Sequence, residues 1–289
     1  MKVLVTGAQG LLGREVCRVF SSEHEVIATD IAELDVTDLS AVRRMFAEVQ
    51  PELVVNCAAR TDVDGCEKDP AGAFDVNAAG AWHVATACRE IGAELVHLSS
   101  DYVFAGDRRR PYREHDPTGP MNVYGRSKLE GEQRALLACP RTYVVRSCGL
   151  FGAHGKNFVT TILEKAAAGE TLRVVNDQTV GAPTYVPDLA QAILRVVATR
   201  AYGVYHIVNT GVCTWFDFAR LILQRAGFAD VPLEPIDSHI LALPAERPAY
   251  CALECGSLRA LGLPPLRSYE EALEAFLEEL RAAGRLPQR

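Results

Sequence analysis

The chain has 289 residues, 48% of them hydrophobic and 23% charged, which suits one or two globular domains with a substantial core. A net charge of −7 and a pI near 5.6 argue against nucleic acid or an anionic membrane surface as the main partner. No apolar run approaches the roughly 18 residues that span a bilayer, and the start reads as a strand entering a glycine loop rather than as a signal peptide, so a cytoplasmic location is expected.

In chain order, Lys2–Thr6 reads as a strand, Gly10 to about Phe20 as a helix and Glu25–Thr29 as the next strand. Asp38 is a capping residue for a helix through Val49, and Leu53–Asn56 is a third strand. Pro70, favoured in a first helical turn, opens a long helix reaching about Ile91. Glu94–Leu98 and Thr142–Arg146 are further strands, separated by a helix from about Val123 to Leu137. Short, continuously apolar strands alternating with helices predict an α/β fold, a Rossmann-type doubly wound parallel sheet covered on both faces. Beyond Arg146 the alternation loosens. Helical stretches near Phe158–Ala168, Asp188–Thr199, Trp215–Ala226 and Ser268–Ala283 are joined by proline-rich connections at Val231–Pro235 and Leu243–Pro248. The division expected is a dinucleotide-binding domain over 1–150, with about 184–208 returning to it. A smaller mixed α/β substrate-binding lobe takes 151–183 and 209–289.

The nine cysteines are scattered, with no Cys-x-x-Cys pair. Cys251 and Cys255 lie four apart without a second pair to complete a zinc site, so reduced, mostly buried thiols and no metal are expected.

Two motifs carry chemistry. The first is Gly7-Ala-Gln-Gly10-Leu11-Leu12-Gly13, directly after a strand and opening a helix. Gly7 permits the tight turn, Gly10 lets the backbone approach a pyrophosphate, and Gly13 lets the helix pack closely on the sheet. The phosphates then meet unpaired N–H groups and the positive end of the helix dipole. Asp30 ends the second strand 23 residues after Gly7, where a carboxylate accepts hydrogen bonds from ribose hydroxyls and disfavours a 2′-phosphate. The second motif is Tyr124-Gly-Arg-Ser-Lys128, whose ends share one helix face. A nearby ammonium is expected to lower the phenol pKa from its usual value near ~10, making Tyr124 a general acid for carbonyl reduction. Ser100, at the end of a strand where open α/β sheets carry their sites, supplies a hydroxyl for the substrate oxygen. Tyr-x-x-x-Lys alone is a pattern that chance supplies. Its weight comes from the glycine loop, Asp30 and Ser100 around it.

With its G-x-x-G-x-x-G spacing the chain resembles the short-chain dehydrogenase/reductase superfamily. Further segments are Asn56-Cys-Ala-Ala-Arg-Thr-Asp-Val-Asp64, Leu98-Ser-Ser-Asp-Tyr-Val-Phe104, Asn122-Val-Tyr-Gly-Arg-Ser-Lys-Leu-Glu-Gly-Glu132, Gly155-Lys-Asn-Phe158, Asp177-Gln178 with Pro183-Thr184, and Arg247-Pro248 before Ala252-Leu253. On these the chain is similar, over nearly its whole length, to one branch, the dTDP-4-dehydrorhamnose reductase family. The resemblance implies reduction of a nucleotide-linked keto-deoxysugar with NADH or NADPH, within dTDP-rhamnose and cell-wall polysaccharide biosynthesis. Ser100, Tyr124 and Lys128 would be catalytic, and Ser100, Asp101, Tyr124 and Arg247 would contact the substrate, Arg247 through its pyrophosphate. Gly7, Gly10, Leu11, Leu12, Gly13, Asp30, Asp35, Val36, Ala58, Ala59, Arg60, Tyr124 and Lys128 would line the cofactor, with Asn77 fixing the core nearby. The expected partners are a nucleotide sugar and a second copy in a homodimer, with no nucleic acid and no membrane.

The chain departs from the family pattern in four places. It has Ser99-Ser100 where Ser-Thr is common, Arg60 for an aromatic or histidine, Gly149 for an aromatic, and a link over Thr179–Ala182 one residue longer than usual. Two other readings stand beside the reductase. One is a regulatory subunit resembling the beta subunit of methionine adenosyltransferase, which binds NADP without turnover. The other is a sugar-nucleotide epimerase.

Overall fold

The computed structural model describes residues 1–287. Its first half runs β1 (Lys2–Thr6), α1 (Leu11–Phe20), β2 (Glu25–Thr29), α2 (Leu39–Val49), β3 (Leu53–Asn56), α3 (Val63–Lys68), α4 (Pro70–Phe74), α5 (Ala81–Ile91), β4 (Glu94–Ser100), α6 (Val123–Ala138) and β5 (Thr142–Ser147). The second half runs α7 (Phe158–Ala167), β6 (Leu172–Val175), β7 (Thr179–Gly181), α8 (Val186–Thr199), β8 (Gly203–His206), β9 (Cys213–Thr214), α9 (Trp215–Ala226), β10 (Leu233–Ile236), α10 (Gly256–Ala260) and α11 (Tyr269–Ala282).

Six strands form a parallel sheet in the order β2-β1-β3-β4-β5-β8. The direction of winding reverses between β1 and β3, and the crevice beyond their carboxyl ends is where open sheets of this kind hold ligands. The inner strands are buried on both faces, which is why they read as unbroken Val/Leu runs. On one face α1 and α8 pack Leu12, Val16, Leu189 and Ile193 onto Val3, Val5 and Val55. On the other, α2, α5 and α6 bring Val42, Phe46, Val84, Cys88 and Ala135 against Leu4, Val54 and Leu95. A second core gathers α7, α9 and α11 around Phe151, whose ring centroid lies 5.7 Å from those of Phe218 and Phe276.

Caps appear where the residue types demand them. Asp38 accepts from the amides of Ser40 and Ala41, and Asn122 from that of Gly125. Capping boxes close Asn157/Thr160 and Ser268/Glu271. The helix expected over 70–91 is continuous but not uniform: Asp75–Gly80 between α4 and α5 is a π-helical turn. Two proline-rich or irregular connections turn out to be strands. Leu233–Ile236 pairs in parallel with β6, and Pro235 is tolerated because a two-stranded ribbon consists of edges. Thr179–Gly181 pairs antiparallel with β9 through a register shift at Thr179/Gly181, a local break in the ladder. No helix among the described residues is long and apolar enough to cross a membrane.

Candidate active site

β1 delivers the chain to Gly7, whose φ of +65° is the left-handed conformation that glycine adopts without strain. A Cβ there would lie 2.7 Å from the Ala58 amide nitrogen, and one on Gly13 would overlap the Gly7 carbonyl. Gly10 is the N-cap of α1 and offers no side-chain acceptor, so the first amides of that helix are left for a ligand. Asp30 is held at the rim by the Gln9 amide, 2.8 Å from Oδ2, and by the Ile31 amide, 2.8 Å from Oδ1. A cavity of about 430 Å³ opens here between Gly7, Gly10 and Asp30 on one side and Asp35, Val36, Ala58 and Ala59 on the other. Its bare-backbone cradle, apolar walls and two carboxylates, Asp30 and Asp35, fit an adenosine diphosphate moiety.

A second cavity of about 440 Å³ adjoins it, sharing Gly7, Gly10, Cys57 and Ala59. Leu11, Leu12 and Gly13 line its floor, and Ser100, Asp101, Tyr102, Tyr124 and Lys128 its far wall. Two elements bring these groups together. β4 ends at Ser100, and the Asn122 cap fixes the first turn of α6 so that Tyr124 and Lys128 face the end of that strand. The Ser100 hydroxyl donates to Asp101 Oδ1 at 2.8 Å, accepts from the Tyr102 amide at 3.2 Å, and is near enough to the Tyr124 phenol to favour its ionised form. Lys128 is buried, and its Nζ donates to the Leu98 carbonyl at 2.5 Å. Behind it, Glu132 forms a buried ion pair with Arg146 (2.7 Å) and accepts from Ser99. Asn77, on the π-turn, accepts from the Arg60 amide (2.8 Å) and donates to Ser127 Oγ (2.9 Å), tying the segment after β3 to α6.

The electrostatics correct one expectation. Tyr124 was expected to have a lowered pKa, yet burial pushes the phenol up to about 12, the Ser100 hydrogen bond opposing only part of that rise. Burial also pulls Lys128 down to about 8, against the pull of Glu132. The physical reason is that desolvation penalises each charged form and the ammonium is directed at the Leu98 carbonyl. Burial likewise raises the Asp101 carboxyl to about 7, although Ser100 and Cys251 hydrogen-bond to it.

Two expected contacts fall outside the cavities. Ala59 lines both, but the Arg60 side chain turns to Asp69 (2.5 Å) and the Gly65 carbonyl. Arg247 holds Asp64 with both arms of its fork, at 2.6 and 2.7 Å. Gly149 has a φ of +55°, and a Cβ there would sit 3.5 Å from the indole of Trp215, which itself lines the catalytic cavity. Trp215 and the Cys251 thiol beside Asp101 are residues of the site that motif reading missed, and Lys156, inside a quoted family segment, was assigned no role there. Trp215 directly follows the Thr214 helix cap, a signal of helix start with no hint of the cavity.

Comparisons with known proteins show the family. The family model described as the RmlD substrate binding domain matches residues 1–282. The dTDP-4-dehydrorhamnose reductase of Streptomyces griseus is 44% identical over 290 residues, covering 98% of this chain and 95% of that protein. A dTDP-4-keto-6-deoxy-D-glucose reductase of Streptomyces niveus is 40% identical over 276 residues, covering 94% and 96%. The crystal structure of dTDP-4-dehydrorhamnose reductase from Bacillus anthracis in complex with NADP superposes with a TM-score of 0.94 at 39% identity, covering 96% of this chain and 99% of that one. A full-length family match and this level of identity are sufficient: the chain belongs to the dTDP-4-dehydrorhamnose reductase family.

Proposed function

We propose that this protein reduces the C4 ketone of dTDP-4-dehydro-L-rhamnose, or of a close nucleotide-linked deoxysugar, with NADH or NADPH. The observation that carries the reading is the meeting of the two cavities: the glycine-loop cleft opens directly onto Ser100, Tyr124 and Lys128. Gly7, Gly10, Leu11, Leu12 and Gly13 would cradle the cofactor diphosphate, Asp30 the adenosine ribose, Asp35, Val36, Ala58 and Ala59 the adenine side, and Lys128 the nicotinamide ribose. Bound there, a reduced nicotinamide supplies hydride to the ketone carbon. Tyr124, kept protonated by its burial, donates its proton to the ketone oxygen as that oxygen gains charge. The Ser100 hydroxyl holds the same oxygen in place. Asp101 and Tyr102 complete the wall facing the sugar. Arg247 would turn to a substrate pyrophosphate in exchange for Asp64, which its fork holds in this structure.

A homodimer and a cytosolic setting belong to the same reading; the nine thiols, all free, suit a reducing compartment. NADH and NADPH oxidation against a panel of nucleotide keto-sugars tests the assignment. Turnover of a dTDP-4-keto-6-deoxy sugar is the expected result. Cofactor binding with no turnover of any sugar, together with capture of a methionine adenosyltransferase catalytic subunit, would replace it with the regulatory reading.

A further inference from the structure

The Ser100 hydroxyl has one proton to give and two lone pairs to fill, and more than one neighbour competes for that proton. One lone pair is taken by the Tyr102 amide at 3.2 Å. Ser100 Oγ donates to Asp101 Oδ1 at 2.8 Å, and the Tyr124 phenol, whose ionised form the same hydroxyl favours, lies nearby. Asp101 is 3% exposed. The titratable groups facing it are the Cys251 and Cys148 thiols and the Tyr102 and Tyr124 phenols, while Arg247 acts on Tyr102 and is itself tied to Asp64.

We propose that Asp101 is a positioning residue whose own proton decides where the Ser100 hydroxyl points. An ionised Asp101 can only accept, so it takes the Ser100 proton and leaves the ketone oxygen without that donor. A protonated Asp101 donates to Ser100 Oγ and, with the Tyr102 amide, fills both lone pairs. The Ser100 proton is then released toward Tyr124 and the substrate oxygen. Burial among acids rather than cations raises the Asp101 carboxyl to about 7, so the change falls within the working range. The inference rests on the reductase reading but assigns Asp101 a task beyond touching the sugar.

The test is the pH profile of kcat/KM. The wild-type value should fall about tenfold between pH 6 and 8, the loss expected for a group that must be protonated and titrates near ~7. Asp101→Asn, whose amide donates to Ser100 at every pH, should give a profile flat to within about twofold when scaled to its own maximum. Ser100→Ala should lose the same descending limb, because the Asp101 proton exerts this effect through that hydroxyl. A tenfold fall retained in either variant would overturn the proposal. So would a folded, NADPH-binding Asp101→Asn protein with no turnover at any pH. Failure of the wild type on every keto-sugar would sink the reductase reading instead. In that case infrared titration of the ligand-free protein still decides this one. A carboxylic acid C=O band absent from Asp101→Asn should titrate near neutral pH and shift in frequency in Ser100→Ala, and its absence overturns the inference.

Discussion

At the scale of single residues, burial moves three protons in ways that suit reduction. Tyr124 stays an acid, Asp101 is raised to about 7, and Lys128 is lowered to about 8. The Asp101 shift has a consequence for stability. Its folded pKa lies above the unfolded value of roughly 3.9, so its favourable contribution is present below that pH and is lost as pH rises through the folded pKa. Asp101→Asn should therefore gain stability relative to wild type between pH 4 and 8, by on the order of 4 kcal/mol at most, and urea midpoints measured at both pH values check this. At the other end of the cleft, Asp30 is fixed by two backbone amides and offers its remaining acceptor capacity to a ribose. Asp30→Ala should raise the kcat/KM ratio of NADPH over NADH at least tenfold. An unchanged ratio would mean that Asp30 does not read the ribose. The glycine loop, Asp30 and the Tyr124–Lys128 spacing were all legible in the sequence, because each is a local pattern. The sign of the Tyr124 shift was not, since it depends on how much protein covers the phenol.

Among the elements, periodicity and caps located most of the helices and all of the strands before β5, since continuous apolar runs and Asp, Asn or Ser caps are local signals. The π-turn at Asp75–Gly80 escaped because its cause is tertiary. Gly131 of α6 approaches the Asn77 carbonyl so closely that a Cβ would overlap it, and the widened turn presents Asn77 to both Arg60 and Ser127. Gly131→Ala should push α6 away from that turn and destabilise the protein by about 1–3 kcal/mol. The same displacement should lower turnover, because Lys128 sits one helical turn earlier. Denaturant midpoints and kcat measured together test both effects. β10 and β7 were hidden for a different reason. Pro235 and Gly181 are poor strand formers, and only pairing with β6 and β9 makes those segments extended.

Across the whole molecule, the segment around Arg247 is fastened to the first half of the chain at several points, among them the Ala245 amide donating to Asp64 and Asn122 donating to the Glu246 carbonyl. The Arg247 fork holds Asp64, and Pro248 packs so close to Gly106 that a Cβ there would collide with it. These partners are 183 and 142 positions apart in the chain, beyond the reach of any local pattern. If Arg247 exchanges Asp64 for the substrate pyrophosphate, Arg247→Met should raise the sugar-nucleotide KM at least tenfold with the NADPH KM little changed. Asp64→Asn, which frees the fork, should lower it. A rise in both variants would make the pair a structural tie instead. The central catalytic claim is that Tyr124 is the proton donor at the junction of the two cavities. The most direct measurement is NADPH oxidation with dTDP-4-dehydro-L-rhamnose by wild type and Tyr124→Phe, alongside NADPH binding by fluorescence. The account predicts a loss of kcat of at least a thousandfold with cofactor affinity within about twofold; a variant that keeps most of its turnover would contradict it.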